Sequence, residues 1–314
     1  MFSLLGGVFL GWSLGSNDAA NVFGTAVSSR MLKFWTSAVI AAVFVVIGAI
    51  VGGRPGIETL KGLTSIRLDQ AVISSVAAAV TVTIMTVLGL PVSASQAVVG
   101  AIIGIGILNN QINLSGLLKV VTCWVGTPTG AVIISIPLYY AMAAIYNRLN
   151  LNVFRSDGLL RFGLIAAGSY GAYALGANSA ANVTAVFVGA GLITVFFATL
   201  VGGASIALGI LTNSRPVMET VGKKLVKLDP FSAFVVALGQ AITVHIYTLI
   251  GVPVSTSQAV VGAVIGIGIV KGVNTVSKKT LKNILLAWIL TPAVSCFIAI
   301  IIDFAYHLHY IPHQ

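Results

Sequence analysis

Charge is what this sequence lacks. Only 8% of its 314 residues are Asp, Glu, Lys or Arg, while 57% are hydrophobic. Soluble domains average about 25% charged residues. A soluble chain of this length could bury a large core, yet it would still need a polar surface to cover it, and none is present. Lipid is therefore the solvent, and the chain reads as an all-α integral membrane protein. Cysteine is nearly absent: Cys123 and Cys296 lie in apolar stretches, with no CxxC pair or Cys/His cluster. They read as small buried hydrophobes and leave the compartment open. Neither paired carboxylates nor a nucleophile–base pair is visible, so the chain does not read as an enzyme. No basic n-region precedes the first apolar stretch, and a cleaved signal peptide is not expected. Acidic residues number 7 against 17 basic ones, a net charge of +10. In a soluble protein that excess would suggest nucleic acid. Here Lys and Arg sit in short loops between apolar segments, which fits the positive-inside rule and no nucleic-acid partner.

What is present is apolar length. Ten segments are long enough, or nearly so, to cross about 30 Å of hydrocarbon. They run roughly 2–29, 34–53, 70–89, 92–108, 114–146, 159–188, 191–213, 231–251, 254–270 and 283–306. The halves repeat. GSNDAANV at 15–22 returns as GANSAANV at 176–183, and 91–107 returns as 253–269 with 15 of 17 positions identical. Arg54-Pro55 with Glu58-Thr59 returns as Arg215-Pro216 with Glu219-Thr220, and Trp124, Thr127 and Pro128 return as Trp288, Thr291 and Pro292. The chain divides into a first transmembrane repeat at 1–147, a short cytoplasmic linker at 148–158 and a second repeat at 159–314. Five segments per copy give an odd number of crossings, so the second copy enters the membrane inverted, as in many transporters. The third and fourth segments of each copy either cross fully or form a re-entrant hairpin. Both choices leave the crossing number odd.

Lys and Arg set the orientation. One side collects 13 of them: Arg30, Lys33, Arg148, Arg155, Arg161, Arg215, Lys223, Lys224, Lys227, Lys271, Lys278, Lys279 and Lys282. The other has Arg54, Lys61, Arg67 and Lys119. The first side is expected in the cytoplasm, with both termini outside a plasma-membrane protein.

Two motifs carry candidate chemistry. Asn17 and Asn21 are four apart and share a helix face, with Asp18 beside them. An intramembrane carboxylate costs at least about 2.5–3.5 kcal/mol and marks a functional site by default. Hard cations such as sodium take amide and carboxylate oxygens of this kind. The second copy offers Asn178, Ser179 and Asn182. The other motif is Pro-Val-Ser-x-Ser-Gln, at 91–96 and 253–258. Each follows a glycine (Gly89, Gly251) and opens a new apolar stretch. Pro in a first turn and Ser as N-cap read as the start of a half-helix, whose free N–H groups and dipole form an anion site. Ser93, Ser95, Ser255, Thr256 and Ser257 add hydroxyl donors, and Gln96 and Gln258 add amide donors. Asn17 and Asn178 fall at the boundary of the anion and cation sites. Elsewhere, His245 reads as a packed neutral histidine near Gln240 and Thr243, with a proton shuttle as the alternative. The Gly-rich runs 100–106 and 262–268 read as close helix packing.

At these motifs the sequence resembles the inorganic phosphate transporter (PiT) family. GSNDAANVFGTAVSSRML is similar to its N-terminal signature, and GKKLVKLDPFSAF and GVPVSTSQAVVGAVIGIGI to its C-terminal half. The resemblance covers nearly the whole chain. It implies import of inorganic phosphate, coupled to sodium in some members and to protons in others. It also implies a homodimer, and a substrate and ion site at Asn17, Asp18, Asn21, Asn178, Asn182, Ser93, Ser95, Ser255 and Ser257. Three features depart from the family pattern. Ser179 stands where an Asp is usual. Ser257-Gln258 replaces a frequent Thr-His, and glutamine does not titrate, which favours sodium. Residues 147–158 are too short for the large central loop of many members. The expected function is a secondary active phosphate importer, sodium-coupled and working by alternating access, with sodium as coupling ion and no cofactor. A proton-coupled permease for sulfate or another oxyanion is the near alternative, and a passive anion pore the distant one.

Overall fold

Backbone groups out of contact with water must pair within their own segment, and the apolar segments accordingly fold as helices. The computed structural model describes residues 2–87, 92–218, 228–272 and 278–310. All regular elements among them are helical. The first half contains α1 (Leu5–Ser28), α2 (Phe34–Gly52), α3 (Arg54–Lys61), α4 (Leu68–Val87), α5 (Ala94–Leu108) and α6 (Leu114–Arg148). The second contains α7 (Val153–Gly189), α8 (Val195–Asn213), α9 (Pro230–Leu249), α10 (Thr256–Lys271) and α11 (Lys278–Tyr310). Each of the ten apolar segments is a helix within a few residues of its expected span. Helix α3 was not anticipated: it is eight residues long, polar on one face, and starts at a proline in its first turn. Its Glu58 pairs with Lys61 of the same helix. Helix α7 begins at Val153, inside the stretch read as linker, because Asn152 caps it by accepting from the Arg155 N–H at 2.9 Å. Gly89, Glu219, Thr220, Lys223, Lys224 and Lys227 lie outside the described residues.

Six helices, α2, α4, α6, α8, α9 and α11, are long and apolar enough to cross a membrane. Helices α1 and α7 are long enough, at 24 and 37 residues, but each carries a polar Asn motif. Helices α5 and α10 are short. At 1.5 Å per residue, the 15 residues of α5 reach about 22 Å, less than the roughly 30 Å of a hydrocarbon core.

The halves pack on each other reciprocally. A Cβ on Gly15 would lie 1.9 Å from the Ile206 carbonyl oxygen, and one on Gly176 would lie 1.9 Å from that of Val45. These contacts exchange under the repeat offset of 161 residues. Likewise Gly100 abuts the Pro292 carbonyl and Gly262 the Pro128 carbonyl, each with 2.2 Å to an added Cβ. The glycine runs therefore place α5 against α11 and α10 against α6. Only residues without a side chain allow backbones to approach this closely.

One end of the bundle is formed by residues 62–67 and 109–113, where the Asn113 N–H donates to the Leu63 carbonyl at 2.8 Å. The start of α1 and the end of α11 lie here: Gly6 packs on Val76 of α4, and His307 of α11 reaches Arg67. The other end gathers residues 29–33 and 149–152 with the start of α9, where Asp229 pairs with Lys271.

Candidate functional site

Helices α4 and α5 form a hairpin. Its base is closed by two amide bonds, Gln70 Nε2 to Asn109 Oδ1 at 2.9 Å and Asn109 Nδ2 to Gln70 Oε1 at 3.1 Å. Helices α9 and α10 form its counterpart at the other end, closed by Asp229 and by Lys271, which stands at the position equivalent to Asn109. The two tips meet inside the bundle. Ser95 Oγ donates to the Val254 carbonyl at 3.0 Å, and Ser257 Oγ donates to the Val92 carbonyl at 3.3 Å. Each hairpin thus turns back in the interior instead of crossing to the far end. Gly251 supports the second turn with φ +81°, a conformation that favours glycine.

Within each tip the serines divide the work. Ser93 and Ser255 are N-caps, accepting from the Gln96 and Gln258 N–H groups at 3.4 and 3.3 Å. Ser95 and Ser257 bridge to the opposite tip. The capping hydroxyls are therefore engaged with backbone, and the starts of α5 and α10 converge in one region. A helix N-terminus presents N–H groups and a positive dipole end, so the convergence suits an oxyanion.

The Asn motifs lock onto these tips. On α7, Asn178 Nδ2 donates to the Val254 carbonyl at 2.8 Å, and Asn182 Nδ2 donates to Ser95 Oγ at 2.9 Å. On α1, Asn21 Nδ2 donates to Thr256 Oγ1 at 3.1 Å, and Thr256 in turn hydrogen-bonds the Asp18 carboxylate. Asn21 also reaches Asp18 Oδ1 at 3.3 Å. Asn17 sits one turn earlier on the same face of α1, partly exposed. Ser179 is 1% exposed and lies 3.4 Å from Asn178 Nδ2. The Asn motifs of α1 and α7 and the two Ser-x-Ser-Gln turns thus fall in one region, where both tips meet α1 and α7.

Three amide oxygens there are buried without a hydrogen-bond partner: Asn182 Oδ1, Gln96 Oε1 and Gln258 Oε1. The sequence reading took both glutamines as donors, whereas the structure leaves an acceptor unpaired in each. A buried unpaired carbonyl is costly, by about 1–3 kcal/mol, unless something else satisfies it. Asn182 Oδ1, together with Asp18, suits a hard cation. Sequence reasoning missed Gln240 on α9. It is fully buried against Gly171 of α7, and neither of its amide atoms is hydrogen-bonded. Its only signal was a polar residue within an apolar segment. His245 accepts from or donates to Tyr170 at 2.7 Å, outside the tip region.

Comparison with known proteins gives the family and the fold. The model of the phosphate transporter family matches residues 14–299. A Methanocaldococcus jannaschii permease assigned to phosphate is 30% identical, with 94% of each chain covered. The sulfate permease CysP of Bacillus subtilis is 31% identical over 95% of this chain and 85% of its own length. A solved structure, a sodium-dependent phosphate transporter, superposes with a TM-score of 0.83 at 25% identity, covering 98% of each chain. With a matching family model over most of its length and a membrane-capable helical bundle around paired polar tips, the chain belongs to the phosphate transporter family, as a multi-pass membrane transporter and not an enzyme.

Proposed function

We propose that this protein imports inorganic phosphate coupled to sodium, by alternating access. The meeting of the two hairpin tips, reciprocally bonded through Ser95 and Ser257, carries this reading. Phosphate sits at the starts of α5 and α10, close to Ser93, Ser95, Gln96, Ser255, Thr256, Ser257 and Gln258. Asn17 and Asn178 border it. Sodium is held by oxygens from Asp18, Asn17, Asn21, Asn178, Ser179 and Asn182. Bound sodium offsets the anion's charge in a site where an uncompensated charge would be very costly. The structural neighbour's sodium dependence supports the choice of ion.

Alternating access follows from inverted halves. The first copy starts at the end of the bundle where the second finishes, and the contacts between copies are reciprocal. Burial at the site, however, is unequal. Asn178, Asn182 and Ser95 are each 2% exposed, whereas their counterparts Asn17, Asn21 and Ser257 are partly exposed. Thr25, one turn beyond Asn21, is partly exposed while its counterpart Val186 is buried. This supports a state reached along α1 from the end holding Arg30, Lys33 and Arg155, the cytoplasmic side on charge. Exchanging the conformations of the copies opens the other end. The protein acts as a homodimer in the plasma membrane with both termini outside.

Sulfate is the second reading, favoured by the similarity to a sulfate permease. Uptake of labelled phosphate into proteoliposomes under an imposed sodium gradient separates the two. Sodium-driven phosphate uptake that excess sulfate leaves unchanged supports the proposal. Sulfate uptake without phosphate uptake overturns the substrate, and phosphate uptake indifferent to sodium overturns the coupling.

A further inference from the structure

Among the described residues two carboxylates are buried, each 7% exposed: Asp18 at the hairpin tips and Asp303 in α11. Asp303 has no part in the function above. It lies one turn beyond Ala299, which faces Gly104 of α5, toward the end of the bundle formed by residues 62–67 and 109–113. An ionisable group within a membrane helix marks a function by default.

Its surroundings are specific. Asp303 Oδ1 has no hydrogen-bond partner, and Oδ2 lies 3.8 Å from His307 Nδ1. That nitrogen is also 3.0 Å from the Asp303 carbonyl. The other ring nitrogen, Nε2, is 3.2 Å from Arg67 Nη2. Arg67 is held in turn by Asp69 through two bonds, at 3.2 and 2.7 Å. Side-chain exposure falls from 62% at Arg67 to 36% at His307 and 9% at Asp303, so the series leads inward from the surface. Of the helices packed along α11, α4 contributes the charge of Asp69 and α5 has no charged residue. The Tyr306 ring is 5.7 Å away. The first repeat has Tyr139 and Ala143 at the equivalent positions, so the feature exists in one copy only.

The proton inventory makes this a switch. A guanidinium only donates, so His307 Nε2 must accept and the ring proton sits on Nδ1, facing Asp303. A second proton would place an N–H of a cationic ring against a cationic guanidinium. The imidazolium retains Asp303, whose carboxylate has an unpaired oxygen, and Arg67 retains Asp69. One proton therefore exchanges the hydrogen bond from Arg67 for an ion pair with Asp303.

We propose that Asp303 and His307 form a proton-binding site, separate from the hairpin tips, whose occupation releases the base of the first hairpin from α11. The link is short. The Arg67 N–H donates to Gln70 Oε1 at 3.3 Å, and Gln70 pairs with Asn109 across the hairpin base. The same hairpin carries Ser93 and Ser95 at its tip.

Hydrogen exchange of residues 62–70 in the purified full-length carrier, corrected for intrinsic rates, tests this. Acidification across the histidine range, about pH 8 to 5, should speed exchange there by about fivefold in the wild type. His307→Gln keeps an acceptor but takes no proton, and its exchange should not respond. Asp303→Asn removes the counter-charge of the imidazolium, and its exchange should respond less than the wild type. If one variant fails to fold, the other decides. An acid response unchanged by the surviving variant, or no response in the wild type, overturns the proposal. Because no substrate is present, the outcome does not depend on which anion is carried.

Discussion

Asn178 grips the peptide of Val254 with both ends of its carboxamide. Nδ2 donates to the carbonyl at 2.8 Å, and the Val254 N–H donates to Oδ1 at 2.8 Å. The same carbonyl accepts from Ser95 of the other hairpin. One asparagine on α7 thus fixes both tips in register, and the predictions below start from that geometry.

Asn178→Ala removes both bonds and leaves the Val254 N–H buried without an acceptor, a loss of about 1–3 kcal/mol for that group alone. Phosphate uptake, normalised to inserted protein, should fall by at least about tenfold. Asn178→Asp should do no better, since it loses the donor and turns a carboxylate toward a carbonyl. Near-normal uptake in either variant would mean that the tip holds without this clamp.

Asp18→Asn keeps the size and the bond to Thr256 but removes the charge. The sodium concentration for half-maximal activation should rise by about tenfold, about 1.4 kcal/mol. Apparent phosphate affinity at saturating sodium should change less. Unchanged sodium activation would place the cation elsewhere.

Ser95 both accepts from Asn182 and donates to Val254, whereas Ser257 makes its inter-tip bond at the longer distance of 3.3 Å. Ser95→Ala loses both of its bonds and should therefore raise the half-saturating phosphate concentration more than Ser257→Ala, by about threefold to tenfold. Initial rates over a range of phosphate concentrations would show the order, and a reversed order would contradict the geometry.

Gly15→Ala and Gly176→Ala each place a methyl 1.9 Å from a backbone carbonyl oxygen. Overpacking of this kind costs about 1–3 kcal/mol or more. Both variants should melt earlier in detergent. Gly158→Ala, with nothing within 4 Å of the added carbon, should be neutral or stabilising. Equal melting of all three would contradict the close approach of the halves.

Asp229 closes the second hairpin. Burial pushes its carboxyl up, but the bond from Lys271 and the Ser232 N–H and hydroxyl outweigh this and hold it below the usual carboxylate range. A depressed acid stabilises the fold at pH values above its unfolded range, and that contribution is lost as pH falls below about 4. Asp229→Asn keeps a good cap and loses the ion pair. Its stability, followed by thermal melting, should drop slightly at neutral pH, by less than about 1 kcal/mol for so exposed a pair, and match the wild type in acid. A difference that persists in acid would mean that the pair is not what stabilises this base.

Much of this was legible in the chain because membrane helices announce themselves by length and apolarity, and duplication announces itself by identity. The Asn motifs and the Pro-Val-Ser turns stood out as polar residues where lipid tolerates few. Helix α3 was missed because eight amphipathic residues bury one face against α7, a gain that no sequence window sees. Asp303 and His307 were passed over because i and i+4 spacing near a helix end looks like an ordinary surface pair. Only the approach of Arg67, 240 residues earlier in the chain, gives the ring a second set of partners.

The sequence by itself determined the solvent, the ten helices, the duplication and the identity of the polar residues. Tertiary structure alone decided that the two tips meet, so that each hairpin turns back inside the bundle. It also decided which serine caps and which one bridges, and that Asn182 reaches Ser95 while Asn21 reaches Thr256. The physical reason is that composition and spacing fix what a segment can bury, whereas the direction of a single hydrogen bond depends on a partner brought from the other half of the chain.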